Sequence, residues 1–237
     1  MEESKEYEVI NKMNIISGFF WRFIERIGRQ GIALLVYLIL ARLLLPEDYG
    51  TLAILQAFIT ISEIIVTGGL NNALMQKKDV KDEDFSSILY VSLGVAFLAY
   101  ICIFLAAPYI AIFYGNAALI LPLRIIALII FPYALNSVQI AWSFRNGFYK
   151  KTCFAQIFAV TFAGIIAIVL AYYDFGIWAL VVNSLLCSTC ICIVLQFTIS
   201  WHPKLIFSWK RSKKLISYGW KIMVVNLIDR SYVEIST

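Results

Sequence analysis

Six long apolar stretches follow one another between residues 15 and 200, and the positive charges fall in alternate gaps between them. Sixteen of the 20 lysines and arginines lie in four segments, which are the N-terminal segment up to Arg29 and the gaps at 77–81, 145–151 and 204–214. The three intervening gaps have only Arg42 and Arg124 nearby. This alternation is the positive-inside bias of a polytopic membrane protein, and it predicts a cytoplasmic N-terminus.

The composition indicates the same class of protein. Hydrophobic residues make up 61% of the 237 residues and charged residues 15%, against about 45–50% and about 25% in soluble domains. Each stretch is close to the roughly 20 residues that a helix needs to cross a bilayer. We therefore predict an all-α polytopic membrane protein with six transmembrane helices, whose net charge of +5 faces anionic headgroups rather than nucleic acid.

The chain is predicted to have four parts. Residues 1–14 form a cytoplasmic segment that lacks the features of a cleavable signal peptide, and residues 15–200 form a six-helix transmembrane lobe. Residues 201–214 form a basic interfacial loop. Residues 215–237 start a seventh transmembrane helix, within which we expect the chain to be truncated. The six helices are expected over residues 15–45, 49–73, 85–114, 117–144, 153–173 and 177–200, and Pro132 should kink the fourth.

Charged side chains share one face of the first predicted helix. Arg22, Glu25, Arg26 and Arg29 fall within about 100° of one another on a helix. Glu25 can pair with Arg22 and Arg29 at spacings of three and four residues. Because the face keeps an excess of positive charge, it is either a solvated cytoplasmic extension of the helix or a cationic lining for an anionic ligand near the inner leaflet.

Two further helices carry polar stripes that should not face lipid. Such stripes either join helices by side-chain hydrogen bonds or line a water-filled cavity. Glu63 favours the cavity, because a carboxylate in mid-membrane needs a partner, water or a proton. We interpret Asn183 and Ser184 in the sixth helix as packing residues. The stripes consist of Gln56, Thr60, Glu63 and Thr67 in the second helix, and of Asn136, Gln139 and Ser143 in the fourth.

Motifs of soluble enzymes are missing from the sequence. It has no phosphate-binding glycine loop, nucleophile elbow or zinc-helix signature, so we expect no catalytic residues and no metal site. We expect Cys187, Cys190 and Cys192 to pack as small hydrophobic residues. The acidic segment Asp79–Asp84 could hold Mg²⁺ and a diphosphate, as in prenyl-phosphate transferases, but an acidic first turn that complements a helix dipole explains it better.

Several short motifs occur in the order and spacing of a known family. The segments Ala41–Gly50, Gly69–Asp79 and Gly176–Leu180 resemble the corresponding helix ends of bacterial polysaccharide-export flippases. These are the O-antigen, colanic-acid and teichuronic-acid type transporters of the multidrug/oligosaccharidyl-lipid/polysaccharide exporter superfamily. The resemblance covers Ile15 to about Tyr232. The family often has an acidic residue where this chain has Thr67.

The resemblance implies a V-shaped bundle of two similar lobes, of which this chain supplies one and the start of the next. It implies that undecaprenyl-diphosphate-linked oligosaccharides move from the inner to the outer leaflet of the bacterial cytoplasmic membrane by alternating access. That step belongs to the biosynthesis of surface polysaccharides such as lipopolysaccharide and capsule. The implied partners are this substrate, membrane lipids, a polysaccharide polymerase and a chain-length regulator. No enzymatic activity and no cofactor are implied. Transport could be driven by a coupling ion or by the membrane potential.

On this basis, each polar group has an expected role. Arg22, Arg26 and Arg29 would bind the diphosphate, because the guanidinium group makes bidentate bonds to phosphate. Two alternatives remain. A drug/cation antiporter of the same superfamily would have more acidic than basic cavity residues. A membrane-integral prenyl-phosphate glycosyltransferase or polymerase would need Asp79, Asp82, Asp84 and a long catalytic loop. The expected cavity lining is Glu25, Gln56, Thr60, Glu63, Asn136 and Gln139. Of these, Gln56, Glu63, Asn136 and Gln139 would line the sugar path.

Overall fold

The computed structural model of the protein describes residues 2–67, 74, 82–203, 213, 219 and 225, with side chains from residue 18 onward. The regular structure within these ranges is helical throughout. Short 3-10 turns at Ala117–Leu119 and Ala127–Ile129 flank one of the helices. The helices are α1 (Glu2–Leu43), α2 (Pro46–Thr67), α3 (Asp82–Phe113), α4 (Ile120–Ile126), α5 (Ile130–Arg145), α6 (Tyr149–Tyr172) and α7 (Ile177–Thr198).

Five segments of the described chain are long and apolar enough to cross a membrane. They correspond to the second through sixth predicted helices, so the all-α polytopic class is confirmed. The first helix, α1, is 42 residues long and is not among the five. Six crossings therefore stay a prediction. The five segments are Pro46–Thr67, Glu83–Phe113, Ala117–Arg145, Tyr149–Tyr172 and Ile177–Thr198.

The last two predicted parts are largely outside the described residues. Only residues 201–203 of the expected interfacial loop are described, apart from position 213. Positions 219 and 225 are the described residues of the expected seventh helix. Both parts stay predictions.

The fourth span is interrupted close to Pro132. The chain tightens into the 3-10 turn Ala127–Ile129 between α4 and α5. Pro132 has no backbone N–H to bond the carbonyl of Leu128, and its ring clashes with that carbonyl in a regular helix. The 3-10 turn therefore lies on the N-terminal side of the proline, and the kink itself stays a prediction.

Close contacts hold α1 against α6. A Cβ on Gly18 would lie 2.8 Å from Tyr149 Cε2, and a Cβ on Gly164 would collide with the side chain of Val36. The contacts occur in the same order along both helices, so α1 and α6 run parallel. Small residues let helix backbones approach in this way. On α6 the buried small residues are Ala155, Ala159, Ala163, Gly164, Ala167 and Ala171.

The basic segments meet at one end of the bundle, which we call the basic end. Lys150 Nζ lies 5.6 Å from the ring centroid of Trp21 on α1. From the same α5–α6 region, Arg145 Nη1 donates a hydrogen bond to Leu74 O at 3.1 Å, and Lys151 Nζ donates one to Thr198 O at 2.7 Å. The segments flanking all four basic regions thus lie together, as the charge alternation predicts.

The opposite end contains the turns that lack basic residues. Gly176, between α6 and α7, has a φ of 53° and sits against the start of α2. A Cβ there would lie 3.3 Å from Asp48 Oδ1, so the position requires glycine on both counts. The α1–α2 and α6–α7 turns are therefore neighbours.

The outer surface is apolar, and a buried apolar cluster fills one side of the interior. Phe113 and Phe197 are 83% and 86% exposed on the outside of the bundle, as lipid-facing side chains would be. Inside, a cluster around Leu55, Leu123 and Ile130 joins α2, α3 and the fourth span.

Candidate functional site

A cavity of about 800 Å³ opens between α1, α2, α5, α6 and α7. This volume is within the roughly 300–1,000 Å³ typical of ligand sites. Aliphatic side chains form part of its wall, and polar and aromatic side chains form the rest. The latter are Arg29, Tyr37, Tyr49, Gln56, Glu63, Thr67, Tyr133, Asn136, Ser137, Gln156, Asn183, Ser184 and Ser188.

Among the described lining residues, Arg29 is the one basic side chain and Glu63 the one acidic side chain. Arg29 belongs to the α1 face that continues through Ala33, Val36 and Leu40. It is the lining residue of α1 that lies nearest the basic end. A charge among apolar helices interacts more strongly with a ligand than one in water does. Arg29 therefore places a cationic group on the cavity wall toward the basic end, and Glu63, four residues before the end of α2, places a carboxylate toward the same end.

The predicted charged face of α1 is divided between two surroundings. The guanidinium carbon of Arg22 lies 4.2 Å from the ring centroid of Phe144, a cation–π contact at the basic end. Glu25 Oε1 accepts a hydrogen bond from Gln156 Nε2 at 2.6 Å. Of the four residues of this face, Arg29 lines the cavity, and Arg22, Glu25 and Arg26 do not. Binding of a diphosphate by the three arginines stays a prediction.

Three of the four polar residues predicted on α2 line the cavity. Gln56, Glu63 and Thr67 lie at its wall, and Thr60 is half-buried outside it. Thr67 Oγ1 donates to the backbone oxygen of Glu63 at 2.7 Å. This local bond satisfies the threonine within its own helix.

The polar residues of α5 serve two different purposes. Asn136 lines the cavity, and its Nδ2 donates to Ser188 O at 2.8 Å. Gln139 is 1% exposed and lies outside the lining, where its Nε2 donates to Gln196 Oε1 on α7 at 2.8 Å. Ser143 is also buried outside the lining. Asn136 thus lines the cavity and also joins α5 to α7, whereas Gln139 makes a helix–helix contact outside the lining.

The sequence interpretation missed several lining residues. Asn183 and Ser184 face the cavity, so their interpretation as simple packing residues is wrong. Tyr37, Tyr49 and Gln156 were also missed as lining residues. Tyr37 is eight residues from Arg29 and thus about 80° away on an ideal helix, so the charged face of α1 gave little signal for it.

The described residues offer no metal centre. In this part of the chain, no group of three or more His, Cys, Asp or Glu side chains could hold an ion. All five cysteines are free, and Cys187 contributes to the cavity wall.

Comparisons with known proteins agree with the geometry. A family model described as polysaccharide biosynthesis protein matches residues 39–237. The chain is 25% identical over 217 residues to the succinoglycan biosynthesis transport protein ExoT of Rhizobium meliloti, covering 90% of this chain and 43% of that protein. It is 23% identical over 220 residues to the teichuronic acid biosynthesis protein TuaB of Bacillus subtilis, covering 91% and 45%. The chain thus spans less than half the length of these curated relatives. No solved structure is significantly similar to it.

Proposed function

Because this chain belongs to the polysaccharide biosynthesis protein family, we propose that it forms a substrate-carrying lobe of a flippase for lipid-linked oligosaccharides. Its apolar spans make it a multi-pass protein of the cytoplasmic membrane. The proposed cargo is an oligosaccharide joined to undecaprenyl diphosphate. It moves from the inner to the outer leaflet by alternating access, with the N-terminus of the chain in the cytoplasm.

The polar cavity with Arg29 at its basic end carries this proposal. Neither a diphosphate nor a sugar chain crosses hydrocarbon unaided, because each polar group would lose its hydrogen bonds to water. A carrier must therefore present polar groups across the membrane. In this chain α1, α2, α5, α6 and α7 place amides, hydroxyls and one guanidinium on a common wall.

Each part of the substrate then has a place. The guanidinium of Arg29 binds the diphosphate through charge-assisted hydrogen bonds. Gln56, Asn136 and Asn183 offer amide groups to the sugar hydroxyls. The prenyl chain stays in the bilayer beside the apolar outer face of the bundle. No covalent bond is broken, so the chain acts as a carrier and not as a catalyst.

The balance of charge in the cavity separates this proposal from a drug/cation antiporter. An antiporter would need acidic groups in excess of basic ones to attract its cargo. The described lining has one of each, Glu63 and Arg29. A polysaccharide polymerase and a chain-length regulator remain proposed partners on the basis of the function alone.

Export in living cells tests the proposal. A strain that lacks the gene is complemented with the protein or with a variant in which Arg22, Arg26 and Arg29 are all alanine. We expect this variant to abolish export of surface polysaccharide. The matched triple lysine variant keeps the charge and the orientation in the membrane but loses the planar fork, so it should retain partial export. Normal export by the alanine variant, with normal amounts of protein in the membrane, would contradict the proposal.

A further inference from the structure

Two tyrosines form an aromatic pair on the cavity wall. Tyr37 of α1 and Tyr49 of α2 have ring centroids 5.3 Å apart and ring planes at 74°, and both residues line the cavity. This edge-to-face arrangement is a favoured geometry for aromatic rings. Because the two helices are joined by the short turn before Pro46, the pair is fixed by the connection itself.

The two rings differ in exposure. Tyr37 is 54% exposed although it lies in the interior of a helix. Tyr49 is half-buried, and its hydroxyl is fully covered. Tyr37 lines the cavity, whereas the similarly exposed Leu34, Leu35 and Leu38 of α1 do not, so part of its open ring surface faces the cavity. Tyr49 therefore braces the pair, and Tyr37 presents the accessible aromatic surface.

The pair lies at a set distance from Arg29. Tyr37 is eight residues beyond Arg29 on the same lining face of α1, which corresponds to about 12 Å along the helix axis. The wall between them carries amides and hydroxyls, including those of Asn136 and Ser188. A diphosphate bound at Arg29 would not reach the tyrosines, whereas sugars attached to it would.

We propose that Tyr37, braced by Tyr49, is a carbohydrate-binding subsite for a hexopyranose of the cargo; this rests on the flippase function proposed above. Hexopyranoses such as glucose and galactose have a face of C–H groups with slight positive charge. That face packs on the negative face of an aromatic ring, and its apolar area is removed from water at the same time. The subsite would thus recognise the glycan, while Arg29 recognises the diphosphate that all such lipids share.

A binding experiment with two probes separates the subsite from the diphosphate site. The purified chain in lipid nanodiscs is titrated with farnesyl diphosphate, and with farnesyl diphosphate that carries lactose. The variants are Tyr37→Ala, Tyr37→Leu and Tyr37→Phe. Tyr172→Ala is the matched control, because Tyr172 is also exposed on a helix and lies outside the cavity lining. Thermal unfolding of each variant confirms that it is folded.

We expect the chain to bind the lactose-bearing lipid more tightly than farnesyl diphosphate. Tyr37→Ala and Tyr37→Leu should weaken the lactose-bearing lipid about fivefold, as loss of one aromatic contact would, and leave farnesyl diphosphate unchanged. Tyr37→Phe and Tyr172→Ala should keep the preference. An unchanged preference in Tyr37→Ala and Tyr37→Leu, or an equal loss for both lipids, would overturn the subsite.

The same titration distinguishes failure of the subsite from failure of the proposed function. If the unaltered chain binds both probes equally, the subsite is wrong and the diphosphate site stands. If it binds neither probe, the proposed function is wrong and the subsite falls with it.

Discussion

Gln156 on α6 donates a hydrogen bond from Nε2 to Glu25 Oε1 on α1 at 2.6 Å. The bond lies one helical turn before Arg29, which enters the cavity. Gln156 itself lines the cavity on the facing helix. This contact therefore fixes how far α1 stands from α6 next to Arg29.

Loss of this hydrogen bond should lower stability in a coupled way. We expect Glu25→Ala and Gln156→Ala each to reduce the free energy of unfolding, because a hydrogen bond to a charged group contributes about 1.5–3 kcal/mol. The double variant should lose less than the sum of the two single variants. Unfolding titrations in mixed micelles measure the three losses. Strictly additive losses would mean that the two side chains do not interact.

The close approach of α1 and α6 gives a second prediction about stability. Gly164→Ala should destabilise the protein by about 1–3 kcal/mol, as overpacking of a filled interior does, because the new Cβ would collide with Val36. Val36→Ala in the same chain should restore most of the loss. Thermal unfolding in detergent measures the change in stability of both variants.

Gly94→Ala is the matched control for this prediction. Gly94 is also inside a helix, and a Cβ there meets nothing within 4 Å. Its replacement should be neutral or slightly stabilising through helix propensity. Equal losses for Gly94→Ala and Gly164→Ala would show that the helix contact is not the cause.

The orientation in the membrane can be read from two turns. Asn116 follows α3 at the opposite end, and Asn146 follows α5 at the basic end, and both are exposed. With the native cysteines replaced, Asn116→Cys should react with an impermeant maleimide on intact cells. Asn146→Cys should react only after the cells are permeabilised. The reverse pattern would place the basic end outside and refute the predicted cytoplasmic N-terminus.

Sequence patterns predicted the features that depend on periodicity and charge. The alternation of charged gaps predicted one basic end, and Lys151 and Arg145 meet neighbouring segments there. The helical stripe on α2 predicted Gln56, Thr60, Glu63 and Thr67 as interior residues, and all but Thr60 line the cavity. These patterns are local, so the predictions drawn from them do not depend on what each helix packs against.

The surroundings of individual residues could not be predicted in this way. Asn136 and Gln139 are three residues apart on one stripe, yet only Asn136 faces the cavity. Both bond to α7, but Asn136 meets Ser188 at the cavity wall, whereas Gln139 meets Gln196 outside it. Tyr37 looks like an ordinary apolar position of α1 until Tyr49 is placed beside it. Such assignments depend on how the helices pack in three dimensions.

The two polar residues of α5 should respond differently to the same change. Asn136→Leu removes a cavity amide and its bond to Ser188, so we expect it to slow transport of the lactose-bearing lipid. Gln139→Leu together with Gln196→Leu replaces a hydrogen-bonded pair outside the lining with apolar groups, which can be nearly neutral. This double variant should keep transport close to normal. Equal slowing by both would show that the cavity wall extends to Gln139.

The most direct test of the carrier function is the rate at which the protein moves a lipid-linked sugar across a bilayer. The probe is a fluorescent farnesyl diphosphate that carries lactose, in proteoliposomes that contain the complete carrier, and the fluorophores of the outer leaflet are bleached over time. We predict that the protein speeds this movement and that Arg29→Ala slows it about tenfold, a loss of about 1.4 kcal/mol. Arg22→Ala should leave the rate nearly unchanged, because its guanidinium packs on Phe144 and not in the cavity. An Arg29→Ala rate equal to that of the unaltered protein, or no acceleration over protein-free liposomes, would contradict the account.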